Sequence, residues 1–183
     1  MDLLAPAEVK RLAIIGSGFQ AETQLRAIRA VRNPASIAIW SRSERRREFA
    51  DRYSAVACRT PEEALAGADL VVTATSSKDP VIDSAWISPS AIVCAMGSNY
   101  SDRRELPGDL VSASRIVVDD IEQCRIEAGD LLLAPLDWSR VESLASLAVN
   151  EKAGFGGRLT IFKSVGLGIE DVAVAAHLYE NYS

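Results

Sequence analysis

The sequence predicts an α/β fold: a doubly wound, mainly parallel sheet with helices on both faces. Short and nearly continuous apolar runs recur at residues 12–15, 37–40, 70–75 and 91–95, each of the length expected for a strand buried on both sides. Stretches of helical period separate these runs from one end of the chain to the other, and that alternation is what builds parallel sheets. The first run then breaks on two glycines, Gly16 and Gly18, and passes directly into an amphipathic segment.

That first strand, Leu12-Ala13-Ile14-Ile15, is followed by Gly16, Ser17, Gly18, Phe19, Gln20 and Ala21. Gly16 permits a tight turn, and Gly18 lets backbone N–H groups approach a pyrophosphate at the positive end of a helix. Ala21 takes the third small position, where helix and strand pack closely. The order strand, glycines, helix predicts a Rossmann-type dinucleotide clamp; the alternative is an ordinary strand-to-helix turn with no ligand. The helix that follows sets Ala21, Leu25, Ile28 and Val31 on one face, and Asn33-Pro34 closes it.

Residues 37–40 read as the second strand and 44–53 as a helix with Ser43 at its N-cap. Residues 55–58 would be a third strand. Thr60-Pro61-Glu62-Glu63 combines a capping hydroxyl, a proline in the first turn and acidic side chains at the positive helix end, and Gly67 ends the helix. The strand at 70–75 runs into the polar loop Ser76-Ser77-Lys78-Asp79-Pro80, and the strand at 91–95 into Met96-Gly97-Ser98-Asn99. In a parallel sheet both loops fall on the carboxyl edge, where such sheets bind ligands.

Further strands are expected at 115–118 and 159–162, helical stretches near 121–128 and 141–149, and a loop marked by Gly154, Gly156 and Gly157. A last helix from Ile169 places Ile169, Val172, Ala173, Ala176 and Tyr179 along one face that needs a cover. The strand order around the first crossover should be 3-2-1-4-5.

The 183 residues, 48% hydrophobic and 25% charged, fit one globular domain. With 20 Lys and Arg against 25 Asp and Glu, the net charge of -5 argues against nucleic acid or an anionic membrane as the main partner. Cys58, Cys94 and Cys124 lack the paired spacing of zinc or redox sites and read as small buried apolar residues. No leader pattern and no membrane-length apolar run is visible, so a cytoplasmic location is expected. The single histidine, His177, leaves no room for a serine triad or a histidine-rich metal site, and a partly buried polar tip is its expected role. Asp119 and Asp120 read as loop acids.

Together, Gly16 to Ala21, Trp40-Ser41-Arg42, Thr73-Ala74-Thr75-Ser76-Ser77, Ala95-Met96-Gly97-Ser98-Asn99, Arg104-Glu105-Leu106, Ala128-Gly129-Asp130 and Phe162-Lys163-Ser164-Val165-Gly166 with Glu170-Asp171 resemble the ornithine cyclodeaminase and mu-crystallin family. The resemblance covers nearly the whole chain. It implies hydride transfer between a nicotinamide and the α-carbon of a small amino or imino acid, as in cyclodeaminases, alanine dehydrogenases and cyclic ketimine reductases. It also implies that a preceding domain, which supplies substrate and catalytic groups in the family, is missing. The chain would then be a fragment, favoured by the final helix, or a truncated gene product. Residues 1–168 would form the NAD(P)-binding domain, and 169–183 a helix that packs on the missing N-terminal domain. A homodimer would form through the full-length protein.

An NAD-selective site places an acidic residue at the end of the second strand; this chain has Ser41 and Arg42 there. A guanidinium offers planar paired donors to a phosphate, and Ser43 and Arg46 add a hydroxyl and a second charge, so NADP(H) is expected over NAD(H). The alternative for Arg42, Arg45, Arg46 and Arg47 is a solvated helix face. Thr75, Ser76 and Ser77 are expected near ribose or nicotinamide. From the resemblance, Met96, Ser98, Ser164 and Gly166 are expected to join them, with core filling as the competing role for Met96. Asn99 stands where cyclodeaminases of the family carry an aspartate; an amide cannot take a proton, which favours an imine reductase or amino-acid dehydrogenase. A catalytically silent NADP(H)- or small-ligand-binding protein of the mu-crystallin kind is the alternative of a different class.

Overall fold

The structure, a computed structural model, describes residues 3–149 and 156–182. In chain order it contains β1 (Arg11–Ile15), α1 (Phe19–Val31), β2 (Ser36–Trp40), α2 (Arg45–Tyr53), β3 (Val56–Ala57), α3 (Pro61–Leu65), β4 (Leu70–Thr73) and β5 (Ile92–Ala95). Then follow α4 (Gly108–Ala113), β6 (Arg115–Val118), α5 (Ile121–Glu127), α6 (Gly129–Leu132), β7 (Glu142–Ser143), α7 (Leu144–Val149), β8 (Thr160–Lys163) and α8 (Gly168–Tyr182). The strands form one parallel sheet in the order β3-β2-β1-β4-β5-β8-β6-β7. The expected 3-2-1-4-5 core is present, and β8 inserts beside β5 on its return from β6 and β7.

Strand alternation divides the core into two layers. Ala13, Ile15, Val71, Val93, Ala95 and Ile161 face the layer of α3, α4, α5 and α6, where Leu65, Leu110, Val111, Cys124 and Leu131 meet them. Leu12, Ile14, Leu70, Val72, Ile92 and Cys94 face α1 and α2, through Ala21, Leu25, Ile28, Phe49 and Ala50. Full burial of each such leucine or isoleucine contributes roughly 1.5–3 kcal/mol, so the sheet holds without any crosslink. The three cysteines are buried thiols outside any disulfide.

Thr60 caps α3 by accepting the N–H of Glu63 (3.1 Å), with Pro61 opening the helix. Ser43 accepts the N–H of Arg45 (3.2 Å), but α2 is regular only from Arg45, one residue later than expected. Other expectations are corrected. The strand after Gly67 stops at Thr73, the third strand shortens to two residues, and Val31 is exposed. The helix expected over 141–149 starts at Leu144, because Glu142 and Ser143 pair with Val117 and Val118 and the Arg115 guanidinium grips the Glu142 carboxylate at 2.7 and 2.9 Å. The short α4 and α6 carry too few turns for a periodic signal to stand out. Gly154 lies outside the described residues.

α8 is exposed on every side over 168–181, with Ile169 73% and Tyr179 75% accessible. His177 is exposed with it and accepts the Asn181 side-chain amide at its backbone carbonyl (2.8 Å), so it is no buried tip. No described helix is long and apolar enough to cross a membrane.

Candidate functional site

The carboxyl ends of β1, β2 and β4 open onto a crevice of about 470 Å³, at the point where strand order turns from β2 on one side of β1 to β4 on the other. Doubly wound sheets bind ligands at such a reversal. Gly16, Ser17, Gly18, Phe19 and Gln20 line it from the first turn, Ser41, Arg42 and Ser43 from the second, and Thr75, Ser76, Ser77 and Gly97 from the loops after β4 and β5.

The two glycines of the first turn have different reasons. Gly16 has φ +123°, donates its N–H to the Trp40 carbonyl (2.8 Å), and would bring a Cβ to 2.3 Å from the Ala74 carbonyl oxygen. The fold itself demands glycine there. Gly18 has φ -88°, and a Cβ would meet nothing within 4 Å. It is the N-cap of α1 and offers no side-chain cap, so the first-turn N–H groups have no intrahelical acceptor and stand at the positive end of a 13-residue helix. Open space and unclaimed donors suit an anionic bridge of the pyrophosphate kind. Phe19 stands at the mouth, 79% accessible.

At the end of β2, Ser41 is nearly buried; it donates to the Ser43 carbonyl (2.9 Å) and lies 2.8 Å from the Ser17 hydroxyl, which therefore donates to it. Arg42 reaches across the crevice to the Ser77 hydroxyl (3.2 Å). Arg46 does not line the crevice: it holds the β2–α2 turn by donating to the carbonyls of Ser41 and Ser43 (3.3 and 3.2 Å) and pairs with Glu44 (2.7 Å). Thr75 accepts the Ser77 N–H (3.2 Å), which orders the loop opposite.

The residues expected at the ends of β5 and β8 stand apart from this crevice. Met96 packs toward α1 and, with Cys94 and Phe162, lines a separate apolar groove of about 340 Å³. Ser98 is buried, and its hydroxyl has no hydrogen-bond partner among the described residues. Asn99 is exposed. Ser164 donates its N–H to the Ala95 carbonyl (3.4 Å), and Gly166, at φ +83°, donates its own to Asp119 (2.9 Å). Asp119 is thus a tie, not a free loop acid, since it also accepts the Val165 N–H (2.8 Å); Asp120 caps α5 through the Gln123 N–H (2.8 Å).

Beneath the crevice lie three charged side chains with no solvent exposure: Glu105, Asp130 and Lys163. Glu105 accepts the Thr75 N–H (2.6 Å) on one carboxylate oxygen, and the Thr73 hydroxyl (2.8 Å) and Gly97 N–H (2.9 Å) on the other. Burial pushes its carboxyl above the ordinary value, against the hydrogen bonds from Thr75 and Thr73 and with the charge of Asp130. Asp130 accepts the N–H groups of Glu105 (2.6 Å) and Leu106 (3.0 Å), and its other oxygen lies 3.2 Å from the Lys163 ammonium. That ammonium also donates to the Ser98 carbonyl. The motif blocks contained all three residues, but nothing local in the sequence announces that they meet.

Burial pushes the thiols of Cys94 and Cys124 up to about 12, the latter with help from Asp119, so both stay protonated and inert near neutrality. Among the described residues no group of His, Cys, Asp and Glu is placed to hold a metal ion.

The Delta(1)-pyrroline-2-carboxylate reductase of Bacillus cereus is 34% identical over 193 residues, covering 97% of this chain and 59% of the relative. The mouse (Mus musculus) ketimine reductase mu-crystallin is 29% identical over 187 residues, 99% of this chain and 58% of its own. Among solved structures, the Thermococcus litoralis Delta(1)-pyrroline-2-carboxylate reductase in complex with NADH and L-proline matches with TM-score 0.90 at 30% identity, over 98% of this chain and 60% of that one. A probable ornithine cyclodeaminase from Bordetella pertussis matches with TM-score 0.87 at 32% identity, over 97% and 60%. The chain therefore spans a little under two thirds of the length of these relatives. The profile of the ornithine cyclodeaminase/mu-crystallin family matches residues 2–183, and the chain belongs to that family.

Proposed function

We propose that this chain is the NADP(H)-binding module of an oxidoreductase that acts on the C–N bond of a small amino or imino acid. The observation that carries the reading is the crevice itself: unclaimed amides at the start of α1, open space at Gly18, and a guanidinium at Arg42 where an acid would select NAD. The α1 amides would hold the pyrophosphate. Arg42, released from Ser77, and the Ser43 hydroxyl would take the 2′-phosphate, while Ser41 stays committed to Ser17 and Ser43. Thr75, Ser76 and Ser77 would border the nicotinamide half. When bound, the coenzyme supplies the hydride; this chain's residues bind it and fix its direction.

Relatives named as a ketimine reductase and as pyrroline-2-carboxylate reductases support the reaction class, and one named as an NAD(P)H-dependent L-arginine dehydrogenase supports either coenzyme. Solved relatives hold NADH or NAD+, so the choice of NADP(H) rests on Arg42. Asn99 favours reduction or dehydrogenation over cyclodeamination. We further propose that in a protein of its relatives' length the substrate is gripped by residues outside this chain, on which the bare apolar face of α8 packs. Calorimetric titration with NADPH and NADH tests the reading. Tighter binding of NADPH is expected; equal affinity or a preference for NADH would remove the phosphate argument, and no binding of either would leave the fold alone.

A further inference from the structure

We propose that Glu105 is the positioning residue of the nicotinamide half of the crevice, held in place by Asp130 and Lys163. The proposal rests on the dinucleotide reading above. The Thr75 N–H follows β4 and the Gly97 N–H follows β5, and one carboxylate accepts both, at 2.6 and 2.9 Å. The Thr73 hydroxyl, on the last residue of β4, adds a third donor at 2.8 Å. The packing is tight: a Cβ at Gly97 would lie 2.4 Å from the Glu105 carboxylate and from the Thr75 backbone.

Glu105 is itself fixed from behind. Asp130 holds its backbone N–H and that of Leu106, and the Lys163 ammonium at the end of β8 compensates the Asp130 charge while binding the Ser98 carbonyl. The start of the loop after β4 is therefore tied to the start of the β5–α4 connection by a side chain from the far end of that connection, and Asp130 of α6 and Lys163 of β8 brace it from outside both loops. None of the three charged side chains lines the crevice, so their action on a ligand is indirect. In a doubly wound site the β2 side takes the adenosine and the β4–β5 side the nicotinamide, with the pyrophosphate over the first turn. Glu105 thus prearranges one half only, and a preset loop loses less freedom when the ligand arrives.

The split between the two halves supplies the test. Glu105→Gln keeps the shape but turns an NH2 toward N–H donors. Binding of NADPH and of adenosine 2′,5′-bisphosphate, which fills the adenine half alone, is measured by calorimetry on the 183-residue chain and the variant. Loss of NADPH affinity by about tenfold or more, with bisphosphate affinity unchanged within about twofold, is expected from disordering one half. Thr73→Val removes a single donor, should give a weaker loss of the same pattern, and decides the matter if Glu105→Gln does not fold by circular dichroism. Equal losses for both ligands, or no loss in a folded variant, would overturn the proposal. A wild-type chain that binds neither ligand would instead overturn the coenzyme reading, and the proposal with it.

Discussion

The two halves of the crevice are built by different means. On the β1–β2 side the structure uses backbone conformation and neutral hydroxyls: a left-handed Gly16, an uncapped α1, and the chain from Ser17 through Ser41 to the Ser43 carbonyl. On the β4–β5 side it uses three buried charges drawn from residues 105, 130 and 163. Neutral devices cost little desolvation, and Arg42 is left exposed at the rim, donating across the crevice to the Ser77 hydroxyl. A buried charge network is rigid only while complete, because each member left unpaired carries its full desolvation penalty.

The sharpest way to break the charged half is Lys163→Met, which strands the Asp130 carboxylate in a fully buried position. A loss of about 3–5 kcal/mol is expected in urea unfolding, without a new cavity to blame. On the other side, Gly16→Ala forces a Cβ against the Ala74 carbonyl at positive φ and should cost about 3 kcal/mol. Arg42→Ala should leave unfolding unchanged and weaken NADPH by about 10- to 100-fold, with NADH nearly unaffected, in the same titration.

Gly18→Ala sharpens the contrast between the glycines. Beyond its chain neighbours, no atom of the described residues lies within 4 Å of the new Cβ, so stability should change by less than about 1 kcal/mol. Coenzyme affinity should nevertheless fall by roughly tenfold, because the methyl occupies the approach to the α1 amides. Unchanged affinity would mean that the pyrophosphate does not sit there.

The smallest effects concern pH. Arg115 holds the Glu142 carboxyl below its ordinary 4.5, so this pair stabilises the fold above that pH, and the contribution is lost as pH falls below it. Glu105 runs the other way: burial holds its carboxyl above 4.5, so its contribution declines as pH rises from there toward the folded value. Urea unfolding of wild type against Glu142→Gln below pH 4.5, and against Glu105→Gln above it, should show differences from wild type that slope in opposite directions. Parallel slopes would remove the distinction between a partly buried ion pair and a fully buried carboxylate.

Legibility in the sequence follows the same division. The glycine turn and the Thr60 cap are legible because their geometry is decided within a few residues, and the strand pattern puts Ser41-Arg42 at the end of β2, although their partners Ser17 and Ser77 lie 24 and 35 residues away. Asp119 and Asp120 looked like loop acids because the partners of Asp119, Val165 and Gly166, lie more than forty residues away. The helix expected from residue 141 gave way to β7 because pairing with β6 and the Arg115–Glu142 contact outweigh helical period over so short a stretch. Met96 shows the converse: the resemblance places it with the coenzyme contacts, whereas packing turns it toward α1 and a separate apolar groove, the core-filling alternative.

The sequence by itself determined the strand–helix alternation, the reversal of strand order at β1 and the glycine turn that opens α1, since hydrophobic period and glycine stereochemistry act locally. Only the tertiary structure decided where β8 inserts, which loops reach the crevice, and that Glu105, Asp130 and Lys163 converge beneath it. Those outcomes depend on burial, and a charge reveals its partner only after the chain has removed both from water.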